Sequence, residues 1–377
     1  MLFIQEFIQN HPDTWEQRLS EAPYALKIKR SSFADGRYVM FNYNMLESDN
    51  YNLIVAEARG LVLDSQNDFK IVRKGFNRFF NYGEGPAASI DWNTASATIK
   101  EDGTLIFLSH YDGRWIWGTR QNFDVDEAEM SDALYPTFGA LLKDVIAKHY
   151  PKFDVTKALE GDTYCFELCS RFNRIVIDYP EPKLFLLAAF NNNGVFDVPS
   201  GTEYKSHHVD AFADVWEVPR PKYYKMSSVE DYTNLVEGFG IQHEGVVVLD
   251  GKGDRLKMKS KLYFEMHKQV SNGAMDVEAM VGLIRRGEDA EFLSYFPDYK
   301  EKFEKVRLQV TDAFIRIQQI NHACEIGQRE MSRKDFALEH KDDSVAVLWF
   351  KAYDGKLTDD FVSGITDEKF VQLFKIS

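Results

Sequence analysis

The sequence predicts a mixed α+β protein in which a β-rich first part precedes a helical second part. Between about Ala25 and Lys259, short runs of alternating apolar and polar residues are separated by turn dipeptides such as Asp112-Gly113, a pattern typical of antiparallel hairpins. After Lys259 the hairpin signals stop, and apolar residues recur at helical spacing instead. We therefore expect two domains, residues 1–265 and residues 266–377.

The order of the predicted elements supports this division. Residues 1–22 are predicted to be helical, because an amphipathic run carries Trp15, Leu19 and Ala22 on one side. A further helix is predicted from Thr137 to His149. The five predicted hairpins are Ala25–Lys29 with Tyr38–Tyr43, Leu61–Asp64 with Phe69–Val72, Thr104–Ser109 with Trp115–Thr119, Leu184–Phe190 with Val195–Phe196, and Gly245–Leu249 with Arg255–Lys259. In the second part, helical apolar stripes are formed by Val277, Met280, Val281 and Ile284, and by Phe303, Val306, Val310, Phe314 and Ile317.

Length and composition exclude several classes of protein. The chain has 377 residues, of which 44% are hydrophobic, enough to bury large cores. Because no apolar run approaches the roughly 20 residues of a membrane span and the N-terminus lacks a basic start, we expect neither a membrane protein nor a secretory signal. Cys165, Cys169 and Cys324 cannot build a disulfide framework and lack the spacing of a zinc site, which favours the cytoplasm. The net charge of −14 argues against a general nucleic-acid coat protein, but not against an enzyme that grips a few phosphates locally.

The segment from Ile99 to Gly103 is the first candidate for chemistry. Lys100 is followed by Glu101, Asp102 and Gly103, between two predicted strands. A lysine in a tight turn can project into a cleft, and its amine is a nucleophile only when it is neutral, a state that burial or a nearby cation favours. Taken alone, this short segment is better interpreted as an ordinary surface hairpin.

Further charged residues lie in predicted strands. Lys257 and Lys259 are two residues apart, so both ammonium groups point to one face, an arrangement suited to holding phosphates. Glu167 and Glu244 each interrupt an apolar strand context, where a carboxylate is costly unless it has a partner. One can accept hydrogen bonds from ribose hydroxyls, and both can order a magnesium through water. Arg120 can hold a phosphate bidentately. Taken alone, the lysine pair is better interpreted as a solvated strand face. The alternative for each glutamate is a capping or edge-strand carboxylate, and for Arg120 an exposed strand arginine.

Taken together, these segments resemble the motif set of the covalent nucleotidyltransferases, which include DNA ligases, RNA ligases and mRNA capping enzymes. The matching elements, in chain order, are Glu57–Gly60 with Arg59, Lys100–Gly103, Thr119-Arg120, Phe166-Glu167, Glu244-Gly245 and Lys257–Lys259.

Two departures argue against the DNA ligase and capping enzyme branches. Leu105 stands where those enzymes usually carry an arginine, and the chain becomes helical where they continue into an OB-fold. The run from Lys100 to Leu105 looks instead like the bacteriophage RNA ligase 1 family of the T-even type. The likeness extends to Phe41–Tyr43, Phe79–Asn81, Asn173–Val176, and Lys257–Ser260 with Tyr263 and His267.

This resemblance implies a fold, cofactors and residue roles. It implies a nucleotidyltransferase domain with ATP-grasp-like antiparallel sheets, followed by a helical domain that provides RNA specificity. It also implies ATP and Mg²⁺ as cofactors, with Mn²⁺ able to substitute. Lys100 would accept AMP, and the implied catalytic residues are Lys100, Glu167, Glu244, Lys257 and Lys259. The same five residues would line the ATP site together with Tyr43, Arg59, Arg78 and Arg120.

Three carboxylates and one tyrosine complete the implied site. Asp102, Glu167 and Glu244 would hold the metal largely through water. Tyr263 matches a family position important for sealing. Arg78 stands where the family has a lysine, which keeps the charge but changes the geometry.

The function that the resemblance implies is ATP-dependent RNA ligation. The enzyme would join 5′-phosphate and 3′-hydroxyl RNA ends through lysyl-AMP and RNA-adenylate intermediates. Its expected task is RNA repair, of a tRNA cut by a host nuclease, by a monomer in the cytoplasm of a phage-infected bacterium. Two alternatives stay open: a DNA ligase or mRNA capping guanylyltransferase of the same superfamily, and a non-catalytic RNA-binding relative. The intact Lys100 disfavours the second alternative, because binding alone needs no nucleophile.

Overall fold

The chain divides into two compact units, Met1–Phe264 and Glu265–Ser377. The computed structural model describes residues 1–130, 134–173, 175–194, 199–240, 242–261, 263, 276–295, 299–327 and 330–377. None of the helices within these ranges is long and apolar enough to cross a membrane.

The first unit combines fourteen described strands with six described helices. The strands are β1 Leu26–Arg30, β2 Tyr38–Tyr43, β3 Arg59–Asp64, β4 Lys70–Arg73, β5 Phe80–Asn81, β6 Ser96–Lys100, β7 Thr104–Tyr111, β8 Arg114–Thr119, β9 Asp162–Cys169, β10 Lys183–Asn191, β11 Thr202–Glu203, β12 Tyr223–Tyr224, β13 Gly245–Leu249 and β14 Arg255–Lys259. The helices are α1 Phe3–Asn10, α2 Trp15–Ser20, α3 Leu53–Glu57, α4 Phe138–His149, α5 Ser206–Trp216 and α6 Val229–Glu237.

A four-stranded antiparallel sheet, in the order β1-β2-β3-β4, holds the N-terminal helices. Ile4 and Ile8 of α1 and Trp15 and Leu19 of α2 are buried against its apolar face. Helix α1 is also anchored by Glu57, whose carboxylate accepts hydrogen bonds from the backbone N–H groups of residues 3 and 4 at 3.1 and 3.0 Å. This contact ties the start of the chain to the segment that leads into Arg59 on β3.

The second sheet has the order β11-β10-β9-β7-β8 and packs against α4 and α5. Its central strand β9 is antiparallel to both β7 and β10 and is buried along almost its whole length. Thr137 caps α4, because its hydroxyl accepts a hydrogen bond from the backbone N–H of Ala140 at 3.1 Å.

The third sheet, in the order β12-β6-β13-β14-β5, brings distant parts of the chain together. Strand β13 lies between β6 and β14 and is antiparallel to both, whereas β14 and β5 are parallel. Tyr232 and Val236 of α6 are buried with the apolar residues of β6, β13 and β14.

The described part of the second unit is helical. Its helices are α7 Val277–Arg286, α8 Asp289–Tyr295, α9 Lys300–Ile326, α10 Arg333–His340, α11 Ala346–Tyr353, α12 Asp359–Ser363 and α13 Asp367–Phe374. Helix α9 buries residues three or four positions apart and packs against α7 and α11. The acidic side chain of Asp276 caps α7 by accepting a hydrogen bond from the N–H of Ala279 at 2.8 Å.

These elements confirm the predicted α+β fold class and four of the five hairpins, β1–β2, β3–β4, β7–β8 and β13–β14. In the remaining hairpin, Val195 and Phe196 lie outside the described residues, and the described partner that follows β10 is Thr202–Glu203. The predicted N-terminal helical segment is two short helices, and the predicted helix at Thr137 begins one residue later. Cys165, Cys169 and Cys324 are all buried thiols.

Candidate active site

Three adjacent strands of the third sheet bring Lys100, Glu244 and Lys259 together. In the sheet register, Gly245 at the start of β13 lies opposite Lys100 at the end of β6 and opposite Lys259 at the end of β14. Glu244, one residue earlier, lies between the two ammonium groups. Its Oε2 is 2.7 Å from Lys100 Nζ, and its Oε1 is 2.9 Å from Lys259 Nζ.

Gly245 makes this close register possible. Its φ is +155°, and a Cβ atom built there would lie 2.1 Å from the backbone carbonyl oxygen of Met258. Only glycine tolerates both the backbone conformation and the approach of the neighbouring strand. The Glu244-Gly245 pair therefore works as a unit, in which the glycine sets the strand spacing and the glutamate reaches the two lysines.

The electrostatics of this cluster favour an anionic ligand. The Glu244 side chain is only 2% exposed, and burial by itself would raise the pKa of its carboxyl. The charges and hydrogen bonds of Lys100 and Lys259 outweigh burial and lower the pKa of Glu244 below its ordinary value. The three side chains by themselves carry one positive charge in excess, and the Asp102 and Glu167 carboxyl groups lie near enough to Lys100 to offset part of it.

A second group of cations surrounds the Tyr43 side chain. Arg120 donates a hydrogen bond from Nη1 to the Tyr43 hydroxyl at 3.1 Å, and the Arg78 guanidinium stacks 4.1 Å from the centre of the Tyr43 ring. Burial would raise the pKa of Tyr43, but the positive charges of Arg120, Arg59, Arg78 and Lys257 lower it below the ordinary value. The structure thus places all the predicted cationic residues except Lys100 and Lys259 around one tyrosine.

Two of these guanidinium groups carry buried donors that lack a partner. Nη1 of Arg59 and Nη1 of Arg78 make no hydrogen bond to any residue that the structure describes. The Phe79 ring lies near two of these cations: its centre is 5.2 Å from the Arg59 guanidinium and 5.7 Å from Lys257 Nζ. Unsatisfied buried donors are costly, and an anion with several acceptor oxygens, such as a triphosphate, would satisfy them. These residues therefore fit the phosphates of ATP.

Glu167 lies on β9, opposite Leu105 of β7 and Phe185 of β10. Burial raises its pKa to about 8, and the nearby carboxylates of Glu244 and Asp102 add to this effect. Lys100 and Arg59 act in the opposite direction. Among the described residues, no donor is hydrogen-bonded to the Glu167 carboxyl, so its oxygens are available to ribose hydroxyls or to a hydrated metal ion.

Asp102 is held in a different way from Glu167. Its side chain is buried, and Oδ2 accepts hydrogen bonds from the backbone N–H groups of Val176 at 2.9 Å and Ile177 at 2.7 Å. Oδ1 accepts a hydrogen bond from the Tyr263 hydroxyl at 3.2 Å. Both oxygens are thus occupied, and Asp102 joins the Lys100 turn to the 176–177 segment and to Tyr263.

The predicted metal set of Asp102, Glu167 and Glu244 stays a prediction. Within the described parts of the chain, no three His, Cys, Asp or Glu side chains lie close enough together to hold a metal ion directly. The sequence predicts that the carboxylates hold the metal through water molecules. Of the three, Glu167 is the one whose oxygens accept no hydrogen bond from a described residue. Glu244 is engaged by two lysines and Asp102 by three donors.

The structure also shows contacts that the sequence did not predict. The Tyr179 hydroxyl accepts a hydrogen bond from the backbone N–H of Asp102 at 3.2 Å and donates one to Glu101 Oε2 at 3.1 Å. Burial raises the pKa of Glu101 to about 7. No motif marks Tyr179. Its nearest signal is its position three residues after the Asn173–Val176 run, in which Arg174 lies outside the described residues.

These residues form a candidate anion-binding site around a lysine at the end of a strand. Comparison with known proteins gives the family: a family model described as RNA ligase, of the phage RNA ligase 1 type, matches residues 57–269. The chain belongs to this RNA ligase family. The matched segment contains every predicted site residue except Tyr43.

Relatives and solved structures add to this comparison. The chain is 29% identical over 289 residues to a protein of the Autographa californica nuclear polyhedrosis virus that is named as a bifunctional polynucleotide kinase/RNA ligase. The match covers 73% of this chain and 40% of that relative, so the chain spans less than half of the relative's length. An archaeal ATP-dependent RNA ligase is similar at a TM-score of 0.48 and 12% identity, over 85% of this chain and 83% of its own. A Naegleria gruberi RNA ligase variant with ATP and Mn is similar at a TM-score of 0.35 and 13% identity. That match covers 47% of this chain and 52% of the Naegleria chain.

Proposed function

We propose that this chain is an ATP-dependent RNA ligase that joins a 5′-phosphate to a 3′-hydroxyl through lysyl-AMP and RNA-adenylate intermediates. The observation that carries the proposal is the cluster of Lys100, Glu244 and Lys259. The chain belongs to an RNA ligase family, and the same unit contains buried arginine donors without hydrogen-bond partners among the described residues. A covalent nucleotidyl carrier needs a positioned amine and a cationic site for the leaving pyrophosphate, and both are present in the same unit.

The first step forms a bond between Lys100 Nζ and the α-phosphorus of ATP. The bond from that phosphorus to the pyrophosphate oxygen breaks, and the pyrophosphate leaves with the electron pair. The Lys100 ammonium gives one proton to solvent before it attacks, and the nitrogen gives a second proton to solvent as the new bond forms. Glu244 is a poor acceptor for this proton, because its pKa lies below the ordinary value. Glu244 therefore acts by orienting Lys100, while Lys257, Lys259 and the arginines around Tyr43 stabilise the charge on the leaving pyrophosphate.

The next two steps transfer AMP and seal the ends. A 5′-phosphate oxygen of the RNA attacks the phosphorus of lysyl-AMP, which releases the Lys100 amine. The RNA 3′-hydroxyl then loses its proton and attacks the phosphorus of the activated 5′-phosphate. The bond from that phosphorus to the bridging oxygen breaks, and AMP leaves with that oxygen. Lys259 and Lys257 remain in place to hold phosphate oxygens in these steps. Magnesium, when bound, would supply charge neutralisation and Lewis acidity. Glu167 would hold its water ligands once the charge of the ion favoured the ionised carboxylate over the protonated form that burial favours.

The substrate and setting are proposed from the same resemblance. We assign the helical second unit the role of selecting RNA, and we assign the enzyme the repair of broken RNA, such as a cleaved tRNA, as a monomer in the host cytoplasm during phage infection. The second unit carries more acidic than basic residues, so broad phosphate binding does not suit it. A shape fit or a small local contact suits it better.

A joining assay tests the proposed function against its alternatives. The protein is given 5′-phosphorylated RNA, matched 5′-phosphorylated DNA and nicked duplex DNA, each with ATP or GTP and magnesium. We expect ATP-dependent joining of RNA ends. Joining of nicked DNA alone, or transfer of GMP from GTP, would place the chain in another branch of the superfamily. Binding of RNA without AMP transfer would make it a non-catalytic relative.

A further inference from the structure

The turn that follows Lys100 is enclosed on two sides. On one side lies the end of β9, so close that a Cβ atom built on Gly103 would lie 2.4 Å from the carbonyl oxygen of Leu168 and 2.8 Å from Cys169 Sγ. On the other side lies the segment that follows β9, whose N–H groups at residues 176 and 177 bind Asp102. The turn is thus fixed by contacts from outside its own hairpin.

The hydroxyl group of Tyr179 also contacts this turn. The hydroxyl accepts the hydrogen bond from the Asp102 N–H at 3.2 Å and donates one to Glu101 Oε2 at 3.1 Å. It therefore holds the two residues that come directly after Lys100.

We propose that Tyr179 is a positioning residue for the attack of Lys100 on ATP. The proposal rests on the proposed function and adds a residue that lies outside the motifs. Lys100 ends strand β6, so its direction depends on the strand on one side and on the Glu101–Gly103 turn on the other. Loss of the Tyr179 hydroxyl removes two hydrogen bonds of that turn, one with the backbone N–H of Asp102 and one with the Glu101 side chain. In-line attack depends on small differences in position, so a looser turn slows the reaction more than it weakens ATP binding.

Tyr150 provides a matched control for the loss of a tyrosine hydroxyl. Its hydroxyl accepts a hydrogen bond from the backbone N–H of Leu184 at 2.9 Å, and its side chain is buried in the core of the second sheet. Tyr150→Phe therefore removes a comparable hydroxyl, bonded to a buried backbone N–H, without touching the Lys100 turn.

The experiment compares Tyr179→Phe, Tyr150→Phe and the unaltered chain in three measurements. These are the dissociation constant of ATP, the single-turnover rate of AMP transfer to the protein, and the rate of sealing of pre-adenylylated RNA, which bypasses attack by Lys100. For Tyr179→Phe we expect AMP transfer to slow by about tenfold or more, with ATP affinity and sealing changed by less than about threefold. For Tyr150→Phe we expect all three to stay within about threefold of the unaltered chain, and thermal unfolding shows whether the two variants are equally folded.

Three results would overturn the inference: AMP transfer to Tyr179→Phe at the unaltered rate, an equal loss of transfer and sealing, or an equal loss of transfer in both variants. Each would leave the proposed function intact, since the unaltered chain would still take up AMP. If the unaltered chain does not take up AMP at all, the proposed function fails instead.

Discussion

At the residue scale, the charge pattern and the family resemblance named candidate site residues but not the contacts that these residues make. Lys257 and Lys259 were expected to act as a pair because they share one face of β14. The structure gives them different neighbours: Lys259 binds Glu244, whereas Lys257 lies over the ring of Phe79. The contact between Lys100 and Glu244 joins residues 144 positions apart, a separation that no local pattern encodes.

Replacing Glu244 tests whether its carboxylate orients the two lysines. In Glu244→Gln the two lysines lose their shared counter-charge, and we expect AMP transfer to fall by roughly a hundredfold and stability by about 3 kcal/mol. Asp64→Asn is the control, because Asp64 is also buried and pairs with Arg37, outside the cluster of Lys100, Glu244 and Lys259. It should lose stability but keep AMP transfer. Equal rates for Glu244→Gln and the unaltered chain, measured with labelled ATP, would contradict the assigned role.

Asp162 gives a prediction about pH and stability. Burial raises its pKa to about 6 from an ordinary 3.8, although Tyr204 donates a hydrogen bond to it at 2.8 Å. The folded protein therefore binds the proton more tightly than the unfolded chain. Stability is greatest below the unfolded pKa and is lost as pH rises through the folded pKa.

The variant Asp162→Asn cannot lose that proton. The amide adds an offset in stability that is the same at every pH. Relative to the unaltered chain, the variant should gain about 2 kcal/mol in stability between pH 4 and pH 7, because pH 4 lies close to the unfolded pKa and part of the full effect falls below it. Thermal unfolding of both proteins across this range measures the difference. A difference that stays flat, or that shrinks as pH rises, would show that Asp162 does not titrate in the folded protein as described.

At the element scale, the sequence predicted local hairpins well and sheet order poorly. Alternating residues and turn dipeptides are encoded locally, so β1–β2, β3–β4, β7–β8 and β13–β14 could be predicted. The placement of β6 between β12 and β13, and the parallel pairing of β5 with β14, depend on residues far apart in the chain. Because the candidate site is built on the register of β6, β13 and β14, its geometry could not be predicted from the sequence, and the roles of its residues stay predictions.

Two glycines test how much the site depends on that register. In Gly245→Ala the added methyl group would meet the backbone of β14, so we expect a large fall in thermal stability and loss of AMP transfer. Gly113 also has a positive φ, of +71°, but no atom lies within 4 Å of a Cβ built there. Gly113→Ala should therefore cost only about 1 kcal/mol, with AMP transfer retained. Equal effects of the two substitutions would show that the approach of β14 to Gly245 is unimportant.

At the scale of the whole molecule, the chain separates into two compact units, and every predicted site residue lies in the first. The family match ends at residue 269, so the helical unit is largely outside it. Helical periodicity predicted the stripes on α7 and α9, in which Met280, Val281 and Ile284 are buried, as are Phe303, Val306, Val310 and Ile317. That periodicity describes packing alone, which is why the role of this unit is a proposal.

A shortened chain tests the division of labour between the two units. We expect a variant that ends at residue 268 to take up AMP and to seal simple single strands, because the lysines, arginines and carboxylates of the site are all retained. It should lose efficient joining of a broken tRNA, measured against the full chain. A folded variant that takes up no AMP, or one that repairs tRNA as well as the full chain does, would contradict the proposed role of the helical unit.

The covalent attachment of AMP to Lys100 is the central claim, and mapping the attachment site tests it most directly. The protein is incubated with ATP and magnesium, denatured, and examined by mass spectrometry of the intact chain and of its peptides. We predict a gain of about 330 Da, the mass of an AMP group held through a phosphoramide, on the peptide that contains Lys100, and no gain in Lys100→Ala. An adduct on any other residue, or full labelling of Lys100→Ala, would contradict the account.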